Sequence, residues 1–307
     1  MRAKDTELME DIRHLKQEKN VYIIAHYYQR GEVQEIADFV GDSYAMAIAA
    51  RDSECKTILV AGVDFMAQSA AILCPDKTIL SPETRATCPM ANSIKVEDVV
   101  NYKQEHPEAC VVSYVNTPAE IKAVSDICCT SSNAEKIIRQ IPEERKIFFI
   151  PDQNLAQNVS HKLGRALDYF DSCCPTHARV TKPEILELKQ KYPQAPVLVH
   201  PECSPEVVAI ADYIGSTAGI LQYTTNSDAR SFIIGTECGI MHSIRKAAPD
   251  KELFLASEEL ICPNMKSITL GKILYSLEQG ETVITVEESI RKRAVLALEK
   301  MIDYATR

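Results

Sequence analysis

The feature that most constrains this chain is a repeat. A short apolar run ends in an aromatic polar residue three times, in VYIIAH (His26), ACVVSY (Tyr114) and APVLVH (His200), at intervals of 88 and 86 residues. The register persists downstream. Glu32, Glu120 and Glu206 each precede an Asp by six residues (Asp38, Asp126, Asp212), and a hydroxyl follows each Asp by five (Ser43, Ser131, Thr217). A second apolar run follows in each unit, KTILVAG, RKIFFIP and RSFIIG, and each unit closes on a Cys-Pro pair at Cys88, Cys174 and Cys262, 86 and 88 apart. Several side-chain types agreeing at one period mark a repeated architecture.

Short β-branched runs alternate with segments of helical spacing throughout, a pattern of parallel sheets covered on both faces by helices. The expected fold class is therefore α/β, with three similar three-layer α/β/α domains built on small parallel sheets. The repeat boundaries suggest residues 1–87 with 263–307, 88–174 and 175–262 as the three units. A unit of that length buries only about 60 to 70% of its unfolded surface, so the units are expected to lean on one another. The N-terminal helix presents Leu8, Ile12 and Leu15 inward, and a last helix near 286–304 presents Ile290, Leu296, Leu298 and Ile302. After the third cysteine, a strand over TVIT (282–285) between helices and a tail returning to pack on the first unit are expected.

Composition narrows the partners. With 34 Lys and Arg against 43 Asp and Glu, the chain carries a net charge of −9, and its basic residues are scattered, which argues against nucleic acid. No uncharged apolar run reaches the ~18 residues that span a bilayer, and the opening MRAKDTELMEDIRHLK lacks the apolar core of a signal peptide. A cytoplasmic location without membrane contact is expected. The cysteine count of 11 is odd, which in a reducing compartment disfavours a disulfide framework. There is no CxxC pair, no Walker loop and no GxGxxG, so zinc-ribbon, thioredoxin and nucleotide readings have no support.

Ligands of parallel α/β sheets bind beyond the carboxyl ends of strands, where His26, Tyr114 and His200 stand. Ser43, Ser131 and the pair Ser216 and Thr217 are expected to open helices, whose free N–H groups and positive dipole end hold phosphate or carboxylate. Rotation of the units would bring Cys88, Cys174 and Cys262 to equivalent places. Three thiolates with no fourth suit a cubane cluster with one open iron, an oxygen-seeking Lewis acid. Zinc with His177 as a further ligand competes, as does simple burial of the thiols, which is the expectation for the other eight cysteines.

At this density the motifs resemble quinolinate synthase. They are AHYYQ (His26, Tyr28), GDSYAMA (Ser43), TCPMA (Cys88), SYVNT (Tyr114, Asn116), TSSNA (Ser131), CPTH (Cys174, His177), HPE (His200, Glu202), GST (Ser216, Thr217) and CPNM (Cys262), spread over nearly the whole chain. The resemblance implies three domains in pseudo-threefold array around one [4Fe–4S] cluster held by Cys88, Cys174 and Cys262. It also implies a reaction of NAD biosynthesis, in which iminoaspartate and dihydroxyacetone phosphate give quinolinate, phosphate and two waters, with iminoaspartate supplied by an aspartate-oxidising enzyme. Carried over by position, His26, Ser43, Ser131, Ser216 and Thr217 would hold phosphate or carboxylates and Asn116 would orient a substrate oxygen. Tyr28, Tyr114, His177, His200 and Glu202 would surround the reacting carbons, with Glu202 and Tyr28 first for proton transfer. Some members carry three closely spaced cysteines near the last ligand; here Cys262 is the only cysteine after Cys238, so that thiol switch is absent. A cluster-based redox or oxygen sensor and a zinc-stabilised scaffold are the rival functions.

Overall fold

The structure, a computed structural model, describes residues 3–306. The first unit runs α1 (Ala3–Glu18), β1 (Val21–His26), α2 (Gly31–Ile36), β2 (Phe39–Gly41), α3 (Ser43–Asp52), β3 (Thr57–Ala61), α4 (Asp64–Leu73) and β4 (Thr78–Leu80). The second repeats it as α5 (Val96–Glu105), β5 (Cys110–Tyr114), α6 (Ala119–Lys122), β6 (Ile127–Cys129), α7 (Ala134–Arg139), β7 (Ile147–Ile150), α8 (Gln153–Leu163) and β8 (Asp168–Tyr169). The third follows with α9 (Lys182–Lys191), β9 (Val197–Val199), α10 (Pro205–Val208), β10 (Tyr213–Ile214), α11 (Thr217–Asn226), β11 (Ser231–Gly235), α12 (Ile240–Ala247) and β12 (Glu252–Leu255). Helices α13 (Pro263–Lys266), α14 (Leu270–Gln279) and α15 (Glu288–Thr306) complete the chain.

Each unit forms one all-parallel four-stranded sheet with the same order, β2-β1-β3-β4, β6-β5-β7-β8 and β10-β9-β11-β12. The expected α/β class with three small parallel sheets is the observed one. The repeated acids explain part of that identity. Asp38, Asp126 and Asp212 each accept, through the side chain, the backbone N–H of Ile23, Val111 or Val197 at 2.9, 2.7 and 2.8 Å, and each donates its own N–H to the carbonyl of the same residue. One residue thus satisfies both backbone groups at the start of the pairing between neighbouring strands, where an unpaired buried group would be costly. Lys16, Lys103 and Lys189 hold these carboxylates from α1, α5 and α9 at 2.7, 3.2 and 3.3 Å. Glu32, Glu120 and Glu206 stand in the first turns of α2, α6 and α10, where a negative charge complements the helix dipole.

The cores divide unevenly. One continuous apolar cluster joins the first two sheets to α14 and α15, through residues such as Ile24, Val60, Val112, Ile127, Leu277 and Leu298, whereas the third unit has separate clusters on its two sheet faces. Helix α14 packs on α1, and α15 lies across α4, α6, α7 and β6, so the tail touches the first and second units together. In α1, Ile12 is fully buried while Leu8 and Leu15 are half-buried. Helix α15 buries Ala294, Ala297, Leu298 and Met301. Leu296, expected inside, is 64% exposed, because two residues away from the buried Leu298 it lies on the opposite side of the helix. The expected TVIT strand reduces to a single antiparallel bridge between Val283 and Leu80, flanked by Ser81 N–H to the Thr282 carbonyl and Ile284 N–H to the Ile79 carbonyl at 2.9 and 2.8 Å. Among the described residues no helix is long and apolar enough to cross a membrane.

Candidate active site

The carboxyl ends of β1, β5 and β9 converge on one cavity of about 340 Å³. The chain turns directly after each strand, with the Gln29 N–H to the His26 carbonyl at 2.9 Å and the Cys203 N–H to the His200 carbonyl at 3.0 Å, and the residue at the strand end and the one two positions later both line the cavity. These are His26 and Tyr28, Tyr114 and Asn116, and His200 and Glu202. Ser43, Ser131, Thr217, His177 and the cysteines Cys88, Cys174 and Cys262 line the same space. Of the residues singled out from sequence, Ser216 alone does not. Its Oγ accepts the Gly219 N–H at 3.2 Å and caps α11, leaving Thr217 to face the cavity.

The helix starts also differ from expectation. Helix α3 is capped by Asp42, whose carboxylate accepts the Ala45 N–H at 2.9 Å, so Ser43 is already the first helical residue. Ser131 lies in a turn three residues ahead of the short helix α7, and its Oγ meets His200 Nε2 at 3.1 Å. Two of the three predicted anion-holding helix ends are thus occupied by the protein's own groups.

A directional chain of hydrogen bonds crosses the site. Thr217 Oγ1 donates to Tyr28 Oη at 2.9 Å; Tyr28 Oη meets Thr236 Oγ1 at 2.7 Å; Thr236 Oγ1 meets His177 Nε2 at 3.0 Å; His177 Nδ1 meets Glu202 Oε2 at 2.7 Å. Each hydroxyl has one proton to give. Since Tyr28 accepts from Thr217, it donates to Thr236, which donates to His177 Nε2 and leaves the imidazole proton on Nδ1, toward Glu202. His177 Nδ1 also lies 3.2 Å from Cys174 Sγ, and its ring stacks on His200 with centroids 4.6 Å apart.

Burial sets the charges. It pushes His26 and His200 down to about 3, so both imidazoles are neutral at pH 7. Burial, reinforced by the charge of Glu202, holds the Tyr28 and Tyr114 hydroxyls well above the ordinary phenol range. The Glu202 carboxyl is pushed up by burial, but the imidazoles of His200 and His177 outweigh this and place it below the ordinary carboxylate range. Glu202 Oε1 and Asn116 Oδ1 are buried acceptors without a partner. Orphaned acceptors on cavity-lining residues are what a bound ligand would satisfy.

A family model described as quinolinate synthetase A protein matches residues 10–303. The chain belongs to the quinolinate synthase family. It is 48% identical over 296 residues to the quinolinate synthase of Methanosarcina barkeri, covering 96% of this chain and 97% of the relative. The quinolinate synthases of Geotalea uraniireducens (47% over 296 residues, 96% and 97% covered) and Thermodesulfovibrio yellowstonii (45% over 295 residues, 96% and 97% covered) are similarly close.

The iron–sulfur cofactor implied by the quinolinate synthase family can be tested against the donor set. Burial raises all three repeat thiols above their ordinary range, Cys88 to about 12, so a cation opposite them is needed before they ionise. Three such thiols lining one cavity fit a cluster, which spreads its thiolates further apart than a single ion does. Among the described residues a different set of metal-ligating atoms gathers within 4.8 Å of one another, from Cys174, His177 and Glu202. It coincides with the hydrogen-bond chain just described.

Sequence reasoning passed over three acids that complete this quinolinate synthase site. Asp64, Asp152 and Glu237 follow β3, β7 and β11, and each accepts the backbone N–H of one repeat cysteine: Cys88, Cys174 (3.2 Å) and Cys262 (3.0 Å) respectively. Asp152 and Glu237 are fully buried, and Lys266 holds Glu237 at 2.9 Å. The signal was present as an acid within three residues of each second apolar run, in TILVAGVD, IFFIPD and SFIIGTE. Thr236, which bridges Tyr28 and His177, carried no signal, because a lone Thr after a strand is commonplace.

Proposed function

We propose that the chain condenses iminoaspartate with dihydroxyacetone phosphate to give quinolinate, phosphate and two waters, a transferase reaction serving NAD biosynthesis in the cytoplasm. The observation that supports this reading is one cavity lined by all three repeat cysteines and by the paired strand-end residues of every unit, in a chain of the quinolinate synthase family. Cys88, Cys174 and Cys262 would hold one [4Fe–4S] cluster per chain. When bound, its unligated iron supplies a Lewis acid for a hydroxyl or carboxylate oxygen. The units are taken as 1–87 with 263–307, 88–174 and 175–262, and an aspartate-oxidising enzyme would supply the unstable imine.

The chain's own groups divide the remaining work. Glu202 is ionised, oriented through Oε2 by His177 and free at Oε1, which suits it to remove a proton as the carbon–carbon bond forms. Tyr28 stays protonated, so by turning its one O–H away from Thr236 it can give a proton to a departing hydroxyl, and Thr217, which already donates to Tyr28 Oη, would stabilise the phenolate left behind. Neutral His200, tied to Ser131, and Tyr114 offer hydrogen bonds to carbonyl and carboxylate oxygens without adding charge. Asn116 Oδ1 would accept from the imine N–H or a substrate hydroxyl. His26, Ser43, Ser131 and Thr217 would hold phosphate and carboxylates, and Ser216 would serve through its cap. Such local donors are required because the net charge of −9 gives anions no general attraction.

Anaerobically purified protein should be brown, contain iron and sulfide, and form quinolinate from the two substrates. Cys88→Ala, Cys174→Ala and Cys262→Ala should each abolish the cluster while Cys55→Ala leaves it intact; equal loss in all four would refute the ligand set. The grouping of Cys174, His177 and Glu202 favours, as a second reading, a single zinc ion in a scaffold protein. Stoichiometric zinc without iron would decide for it. A cluster without turnover would leave a redox or oxygen sensor.

A further inference from the structure

The loops that follow β1, β5 and β9 are short, and the side chain at the middle of each (Tyr28, Asn116, Glu202) faces the cavity. The carbonyls on either side of that middle residue are bound in all three units by one amide or ammonium group. Gln34 Nε2 donates to the carbonyls of Tyr27 and Gln29, both at 3.0 Å. Lys122 Nζ, 88 residues on and fully buried, donates to the carbonyls of Val115 at 2.8 Å and Thr117. In the third unit the equivalent position is Val208, which has nothing to donate. There Asn158 reaches across from α8 of the second unit and donates to Pro201 and Cys203 at 2.8 and 3.0 Å.

The donor has changed from amide to ammonium to an amide from another unit, while the two carbonyls bound stay at the same places in the repeat. A pair of backbone carbonyls two residues apart converging on one donor fixes the peptide plane before the middle residue and the plane that follows its C-terminal neighbour, so the short loop is held closed around the middle residue and the direction of its Cα–Cβ bond is restricted. The surroundings reinforce the assignment. Gln34 Oε1 accepts from Ser243 at 2.6 Å, which fixes its amide with nitrogen toward the loop, and Nε2 also reaches the Gly239 carbonyl of the third unit at 2.9 Å. Among the described residues Lys122 has no carboxylate within ion-pair distance; its partners are carbonyls and the face of Phe65, 5.7 Å from the ring centroid. Burying a lysine that only two loop carbonyls solvate is costly unless the loop geometry needs it.

We propose that Gln34, Lys122 and Asn158 are positioning residues, each of which aims one reactive side chain of the site (Tyr28, Asn116 and Glu202 respectively) by clamping the carbonyls that flank it. The assignment of roles to those three side chains rests on the function proposed above; the clamps themselves do not. Misplacement of a reacting group by a fraction of an ångström lowers turnover more than binding.

Lys122→Met keeps the volume and removes the donor, and Lys122→Gln restores the group that the first unit uses. In cluster-loaded Lys122→Met, hydrogen–deuterium exchange should rise about tenfold in the peptide covering 114–118 and not in those covering 26–30 or 200–204. Its kcat should fall about 10- to 100-fold with KM for either substrate within about threefold, and Lys122→Gln should recover most of it. Asn158→Leu, half-buried and less demanding for folding, should do the same at 200–204. Unchanged exchange in the clamped loop, equal increases in all three loops, or a local increase with wild-type kcat would overturn the proposal. A wild-type protein that forms no quinolinate would refute the functional reading alone, because the exchange pattern then still decides whether the clamps exist.

Discussion

Thr236→Val isolates the hydrogen-bond chain from everything around it. The substitution exchanges a hydroxyl for a methyl of nearly the same size at a position with no solvent exposure. It removes the group that lies 2.7 Å from Tyr28 Oη and 3.0 Å from His177 Nε2. Tyr28 keeps the bond it accepts from Thr217 but loses the acceptor for its own proton, and His177 Nε2 loses its donor. A buried polar group left unpaired costs about 1–3 kcal/mol, so two partial losses should lower the stability of the metal-free protein by about 2–3 kcal/mol, read from chemical denaturation followed by far-UV circular dichroism. With Nε2 unpaired, the imidazole proton is no longer directed to Nδ1 and Glu202 is no longer held by His177. A loss of about 1–3 kcal/mol of transition-state stabilisation corresponds to about a 5- to 150-fold fall in kcat/KM. Thr236→Ser restores the hydroxyl and removes a methyl, so it should lose about 1 kcal/mol of stability and little activity. A Val variant with wild-type turnover, or a Ser variant as impaired as Val, would show that the chain does not work in the direction deduced.

Other consequences can be checked separately. Leu298→Ala opens a cavity where α15 meets the shared core and should cost about 2–5 kcal/mol, whereas Leu296→Ala at the exposed face should change stability by less than about 0.5 kcal/mol; similar losses would contradict the helix orientation. Glu237→Met removes the acceptor of the Cys262 N–H and the partner of Lys266, and should speed iron release to a chelator about tenfold, against no change if that carboxylate serves only the fold. His26 and His200 are depressed to about 3 in the folded state, so below their unfolded value of 6.5 the unfolded chain binds two extra protons and stability falls as pH falls. Burial and the charge of Glu202 push the Asp152 carboxyl well above its ordinary range, a shift that acts in the opposite sense and reduces the slope. The metal-free protein should therefore lose stability between pH 6 and pH 5, by at most about 2–3 kcal/mol per pH unit for two imidazoles, and a flat profile would mean that the two imidazoles are solvated.

The repeat made the sheets legible because parallel strands buried on both faces leave continuous apolar runs, and three copies at one period remove the ambiguity of any single run. The cavity residues were legible for a related reason: strand ends are where a parallel sheet opens to ligand. What escaped was decided by tertiary contacts. The edge of the first sheet needs only a short partner, so TVIT pairs through one bridge instead of forming a strand. Leu296 is apolar but off the 3.6-residue stripe of Ala294, Ala297, Leu298 and Met301, which is the face that α15 lays against α6 and β6. Ser43 and Ser131 looked like caps, but Asp42 and the His200 imidazole took the free N–H groups and the hydroxyl respectively.

The same comparison separates structural from chemical repetition. Asp38, Asp126 and Asp212 are identical because each serves its own unit, tying one strand start in the same way three times. Cys88, Cys174 and Cys262 are identical for the opposite reason: they face one shared space, and three equal thiols there are useful only to a ligand that meets all of them. The strand-end positions face that space too, yet they differ, as His26, Tyr114 and His200 and again as Tyr28, Asn116 and Glu202. A substrate has no threefold symmetry, so residues that act on it have reason to diverge while the backbone that presents them does not. The donors Gln34, Lys122 and Asn158 fall between these cases, since the carbonyls they bind are repeated and the space from which each reaches them is not. In a chain built this way, a residue that is repeated and buried in its own unit argues for the fold. One repeated toward the axis argues for a shared ligand, and one varied toward the axis argues for the reaction.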